Sequence, residues 1–163
     1  GFDSIAISGH KFFGFDEPMG FFLTSREVLD NQNPFRVNYL NDAVPTISCS
    51  RSALAALKFW WKVRRTGLEG FRQQAALIFA NTRHLKARLD EIKYPAWMNP
   101  YSNTIFFKQP TKWIMEKWDL APEEDARFGG PLAHSIVMQQ ETPEVIDLFV
   151  EDLKKDQAQA RKP

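Results

Sequence analysis

The 163 residues, 44% of them hydrophobic, are enough to fill the core of one ordinary domain. Basic and acidic side chains nearly cancel at 21 against 20, so the net charge of +1 leaves no nucleic-acid footprint, and no nucleic-acid partner is expected. No apolar run approaches a membrane span, and the lone Cys49 cannot form an internal disulfide, so a cytoplasmic, reducing setting without a membrane partner is expected.

Residues 3–8 read as a strand because Ile5-Ala6-Ile7 is a short apolar run, and residues 19–24 read as the next. Gly14 and Pro18 punctuate the loop 12–18 between them. Such an arrangement would hold Lys11 at a sheet end, where α/β proteins commonly bind ligands. Ser25 caps a short helix through Asp30, with Glu27 in its first turn. Residues 31–47 are polar, carry Pro34 and Pro45, and are too long for an idle connector, which suggests a functional loop.

Ser50 is placed to cap a helix running to about Thr66. Leu54, Leu57, Trp61 and Arg64 mark one face, with Ala53 and Trp60 beside it; Lys58, Lys62 and Arg65 lie opposite. The basic residues, Arg64 included, read as a solvated face and the two tryptophans as core or interface bulk. Gly67 ends the helix. A second, longer helix carries Phe71, Ala75, Ile78, Thr82, Leu85, Leu89 and Ile92 alternately four and three apart, a coiled-coil-like seam. His84 lies off that seam between charged neighbours and reads as surface.

Tyr94-Pro95 breaks the helix, and a small α+β unit follows. Residues 103–107 form a strand, 111–118 a short helix and 132–138 a second strand. Thr142-Pro143 starts a last helix, with Ile146, Phe149, Val150 and Leu153 on its buried face. Residues 157–163 read as a frayed tail.

The chemistry-bearing stretch is Ser8-Gly9-His10-Lys11. Lysine forms Schiff bases once its ammonium is deprotonated, and serine and histidine can both hydrogen-bond a phosphate. His10, His84 and His134 have no metal-ligand spacing, so no metal is expected. Phosphate-loop, dinucleotide-binding and nucleophile-elbow motifs are absent.

The run Asp3-Ser4-Ile5-Ala6-Ile7-Ser8-Gly9-His10-Lys11-Phe12-Phe13-Gly14, followed by Pro18 and Gly20, resembles the pyridoxal-phosphate-dependent group II amino-acid decarboxylases. The likeness is to the branch of bacterial histidine decarboxylases and plant serine decarboxylases. It continues through Asn38-Tyr39-Leu40, Thr46-Ile47-Ser48-Cys49-Ser50-Arg51 and Gly67-Leu68-Glu69-Gly70-Phe71-Arg72, and covers nearly the whole chain. A cysteine-desulfurase-like enzyme shares the His-Lys pair but places its glycine-proline pair sooner. The three residues between Gly14 and Pro18 favour the decarboxylases.

The resemblance implies an α/β fold, the C-terminal portion of a fold-type I enzyme. Residues 1–66 would be the end of the large domain, 67–93 a bridging helix and 94–163 a small α+β domain. It implies pyridoxal 5'-phosphate as cofactor, held on Lys11, with Ser8, His10 and Ser50 at its phosphate. It further implies decarboxylation of a histidine- or serine-like L-amino acid, and a homodimer. Tyr39 is implied near the subunit interface and substrate, its alternative being loop packing. His134 is implied as a substrate contact, its alternative being a structural strand histidine. Asp3 is not the aspartate that pairs with the pyridine nitrogen; that residue lies in an earlier part of the family. The chain is therefore expected to be part of a longer protein and inactive alone. The family is shorter at 121–131, which reads as an inserted surface loop. Where the branch has Gly-Ser-Arg-Asn-Gly-His, this chain has Cys49-Ser50-Arg51-Ser52-Ala53-Leu54, and cysteine is usual where Met19 stands. These departures bear on the substrate, and they leave open a non-catalytic dimerising module derived from the enzyme.

Overall fold

The computed structural model describes residues 1–32, 36–37, 42–43 and 52–160. They form two compact units, Gly1–Leu68 and Glu69–Pro163. No helix among the described residues is long and apolar enough to cross a membrane.

In the first unit, strands β1 (Ser4–Ser8) and β2 (Gly20–Thr24) pair antiparallel, with Ser4 opposite Thr24 and Ser8 opposite Gly20. The Thr24 hydroxyl donates to the Asp3 carbonyl at 2.9 Å and fastens the open end of the hairpin. Helix α1 (Arg26–Gln32) starts at Ser25, whose Oγ accepts the Val28 amide at 3.2 Å, as its sequence suggests. Within the stretch read as loop, β3 (Arg36–Val37) pairs with β4 (Asp42–Ala43).

Helix α2 spans Ala53–Glu91 but is interrupted at Gly67, which has φ 65° and ψ 172°. A side chain there would be strained, so glycine ends the first segment as its position suggests. Among the described residues the hydroxyl that caps this segment is that of Ser52, whose Oγ accepts the Ala55 amide at 3.3 Å; Ser50, expected as the cap, lies outside them. The packed face also differs from expectation. Phe59 stacks on Phe21 at 4.2 Å, Phe13 at 5.5 Å and Phe15 at 5.6 Å between ring centroids. Ala55, Lys58, Phe59, Lys62 and Thr66 are the half-buried positions, spaced three and four apart. Leu54, Leu57, Trp60 and Trp61 are each more than half exposed, so within this unit they are not core.

In the second unit a four-stranded antiparallel sheet runs in the order β5 (Ala96–Met98), β6 (Thr104–Lys108), β8 (Gly130–Ile136), β7 (Ala121–Asp125). Strand alternation sends Ile105 and Phe107 into the core and Phe106 to the opposite face. The core joins these residues to Leu85 and Leu89 of α2, Ile114 of α3 (Lys112–Lys117), and Ile146, Phe149, Val150 and Leu153 of α4 (Pro143–Ala160). The α2 seam is realised: Ile78, Thr82, Leu85 and Leu89 are buried, with Phe71, Ala75 and Ile92 half-buried at its ends. Asp152 and Asp156, four apart and buried on α4, grip both ends of α3. Asp152 accepts from Lys117 at 2.6 Å and Trp118 at 3.2 Å; Asp156 accepts from the Thr111 amide at 3.2 Å and Trp113 at 2.9 Å.

Three expectations in this unit are corrected. Within 121–131, expected to be a surface loop, residues 121–125 are the outer arm of a hairpin, β7 pairing with β8 from Ala121 opposite His134 to Asp125 opposite Gly130, and Ala126–Phe128 form the turn between them. Pro122 and the run of acids hid the strand, yet proline and charge are what an edge strand tolerates. His84 is not a free surface residue: its Nε2 lies 3.0 Å from Asp147 Oδ1, which also accepts from Arg88 at 2.8 Å. Burial alone would raise the Asp147 carboxyl, but the bonds from His84 and Arg88 together hold it below its ordinary value. Finally, α4 runs on to Ala160, through part of the segment read as frayed.

Candidate functional site

The end of β1 sets the geometry around Lys11. Beyond Ser8 the ladder is extended by one bond, Gly9 N–H to the Met19 carbonyl at 2.7 Å. Gly9 is buried, and a Cβ there would stand 2.9 Å from Cε2 of Phe21, so the close approach of ring and backbone requires glycine. Two residues on, the chain turns: the Gly14 amide donates to the Lys11 carbonyl at 2.9 Å, and Gly14 holds φ 65°. Lys11 is thus the first residue of a tight turn closed by glycine. Its side chain is exposed, and its ammonium has no hydrogen-bond or ion-pair partner among the described residues.

His10 is oriented by the opposite arm of the hairpin. Its Nδ1 lies 3.4 Å from the Met19 amide nitrogen and 3.3 Å from the Met19 carbonyl oxygen. When Nδ1 accepts from the amide, Nε2 carries the proton and is a donor for an anion; the other tautomer reverses the roles. Ser8 is half-buried, with a hydroxyl that can donate or accept. One amine, one imidazole and one hydroxyl therefore lie within four residues, with no carboxylate among them. That donor set fits an anionic ligand bearing a group that condenses with an amine, which is what a phosphorylated aldehyde such as pyridoxal phosphate presents.

The loop after Lys11 is fastened from α2. Lys58 Nζ, 42 residues on, lies 3.0 and 2.9 Å from the two carboxylate oxygens of Asp16 and 3.1 Å from Glu17 Oε1. The bond from Lys58 holds the Asp16 carboxyl below its ordinary value, and Asp16, then Glu17, hold the lysine above its own. The sequence suggests a solvated Lys58, whereas the structure gives it three carboxylate oxygens. A signal for it in the sequence is the adjacent acid pair in the loop, together with Lys58 standing three after Ala55 and four before Lys62, on the face that Phe59 packs.

Of the other candidates, Tyr39 and Ser50 lie outside the described residues. His134 belongs to the second unit, on β8 opposite Phe106, with ring centroids 5.5 Å apart. Its Nδ1 is 3.8 Å from Glu123 Oε2, too far for a hydrogen bond, and is buried without a hydrogen-bond partner among the described residues. A cavity of about 420 Å³ opens on the same unit, lined in part by Trp97, Phe106, Glu123 and Phe128; His134 is not among its lining residues.

No protein-family model matches the chain. Over 156 residues it is 33% identical to serine decarboxylase 1 of Oryza sativa subsp. japonica, a match that covers 95% of this chain and 31% of that protein. Over 154 residues it is 30% identical to a histidine decarboxylase of Solanum lycopersicum, covering 94% of this chain and 35% of that one. A solved structure of L-methionine decarboxylase from Streptomyces sp. 590 superposes with a TM-score of 0.74 at 23% identity, over 96% of this chain and 32% of the other. The chain spans about a third of the length of the curated relatives it matches.

Proposed function

Since the chain belongs to the family of pyridoxal-phosphate-dependent group II amino-acid decarboxylases, we propose that the whole protein decarboxylates an L-amino acid and that Lys11 carries its cofactor. The fold is that of the C-terminal portion of a fold-type I pyridoxal enzyme. In our reading residues 1–66 end the large domain, 67–93 bridge, and 94–163 form the small domain. The substrate is a histidine- or serine-like amino acid, in line with the relatives named above.

The observation that supports this reading is the turn Lys11–Gly14, which presents an exposed amine without a partner among the described residues, three positions after Ser8 and one after His10. Pyridoxal phosphate, when bound, supplies an electron sink for the pair left behind as carbon dioxide departs. Lys11 would hold it through Nζ. His10 would donate to the phosphate through Nε2, because the Met19 amide can occupy Nδ1. Ser8 would add a hydroxyl from the last residue of β1. Ser50 is assigned to the same phosphate, reaching it across a homodimer interface. The exposed Leu54, Leu57, Trp60 and Trp61 support such an assembly by leaving an apolar face for a neighbour. Tyr39 and His134 are assigned to the substrate side, His134 because its buried Nδ1 has no hydrogen-bond partner among the described residues. The enzyme is read as cytoplasmic, and this chain alone as inactive.

The test uses the whole protein. Pyridoxal phosphate is added, the complex is reduced with borohydride, and the tagged peptide is mapped. A tag on Lys11, together with carbon dioxide release from one of a panel of L-amino acids, is expected. A tag elsewhere, or none on a folded protein, overturns the assignment and favours a non-catalytic dimerising module.

A further inference from the structure

We propose that Lys58 is a positioning residue for Lys11: by binding Asp16 and Glu17 together it clamps the loop 12–18 onto α2 and so fixes where the Lys11 amine stands. The inference rests on the reading of Lys11 as the cofactor lysine.

Three observations converge on it. First, the clamp saturates the ammonium. Its three N–H donors meet three carboxylate oxygens, two on Asp16 and one on Glu17, all within 3.1 Å. Second, Lys58 adjoins Phe59, the ring against which Phe13 and Phe15 pack. Two consecutive residues of one helix thus grip four of the five loop positions from 13 to 17, one pair by charge and one by stacking. Third, the backbone bonds of the loop are few: among the described residues Gly9 bonds Met19 at its base and Gly14 bonds Lys11 at its tip, while the His10 ring meets Met19 and Phe13 meets Phe21. Lys11 lies between those bonds, so its place follows from how the tip is held.

The pair is partly solvated: the Lys58 side chain is 35% exposed and that of Asp16 72%. Ion pairs of this kind add little to global stability, so the consequence is local geometry rather than folding. Without Lys58, Asp16 and Glu17 would lose the cation that ties them to α2. The loop tip would be held less firmly on the helix, and the turn at Lys11 with it. A lysine on a helix commonly pairs three or four residues away; a partner 42 residues distant, bound at three points, is a tertiary device.

The test compares wild type, Lys58→Met, Lys58→Arg and the double variant Asp16→Asn/Glu17→Gln in the whole protein. Hydrogen exchange over residues 12–18 is measured without cofactor. The rate of borohydride-trapped pyridoxal phosphate labelling at Lys11 is measured relative to the other lysines. For Lys58→Met and for the double variant, the expected results are faster exchange confined to 12–18 and Lys11 labelling slowed about tenfold, the scale on which lost orientation acts. Lys58→Arg retains both properties near wild type. Should Lys58→Met fail to fold, the double variant, which leaves Lys58 in place, decides. Wild-type labelling and exchange in the neutralised variants would overturn the clamp while leaving Lys11 as the cofactor lysine. Failure of wild-type Lys11 to take any label would instead remove the reading on which the clamp rests.

Discussion

Thr111 stands at the N-cap of α3 but makes no side-chain cap bond; its hydroxyl goes to Asp156 of α4 instead. The same carboxylate accepts the Thr111 amide and the Trp113 indole, and Asp156 is only 4% exposed. A residue that would ordinarily finish its own helix thus joins two helices.

Removing that acceptor should cost more than removing any one donor. Asp156→Ala would strand three donors and is expected to destabilise the protein by about 3 kcal/mol. Asp156→Asn, which keeps an acceptor oxygen, should cost roughly 1 kcal/mol. Urea denaturation of both variants checks the order; equal losses would mean that burial, not hydrogen bonding, sets the cost.

The register of β6 is tested by two neighbouring rings. Phe107 has no exposed surface and packs on Phe149 and Tyr94, whereas Phe106 faces the cavity on the other side. Phe107→Ala should cost about 3–5 kcal/mol, and Phe106→Ala clearly less. A reversed order would sink the strand assignment.

Tyr94 makes an alkaline limb. Burial, aided by the Asp156 charge, pushes its phenol up to about 12 from an ordinary 10. The unfolded chain therefore loses the proton first. The contribution is intact below pH 10 and is lost as pH rises toward 12, by roughly 2 kcal/mol in all. Tyr94→Phe should flatten stability over that range and leave neutral pH little changed. A limb of undiminished slope in Tyr94→Phe would assign it to other groups.

Gly14 tests the turn that presents Lys11. Its φ of 65° would strain alanine by about 1–2 kcal/mol, whereas asparagine tolerates this region better. Gly14→Ala is expected to slow pyridoxal labelling at Lys11, with Gly14→Asn intermediate. Labelling of Gly14→Ala at the wild-type rate would show that the turn does not hold the amine.

Periodicity alone determined the α2 seam, the buried face of α4 and the stop at Gly67, because each depends on neighbours within a turn or two of one helix. The order Ser8, His10, Lys11 was equally plain, since chain adjacency alone sets it. Only the folded chain decided which face of the first α2 segment packs, that β7 pairs with β8, that His84 meets Asp147, and that Lys58 clamps Asp16 and Glu17. Those pairings lie from 5 to 63 positions apart. Composition shows that such groups can attract one another; which of them meet is fixed only when the elements carrying them are packed together.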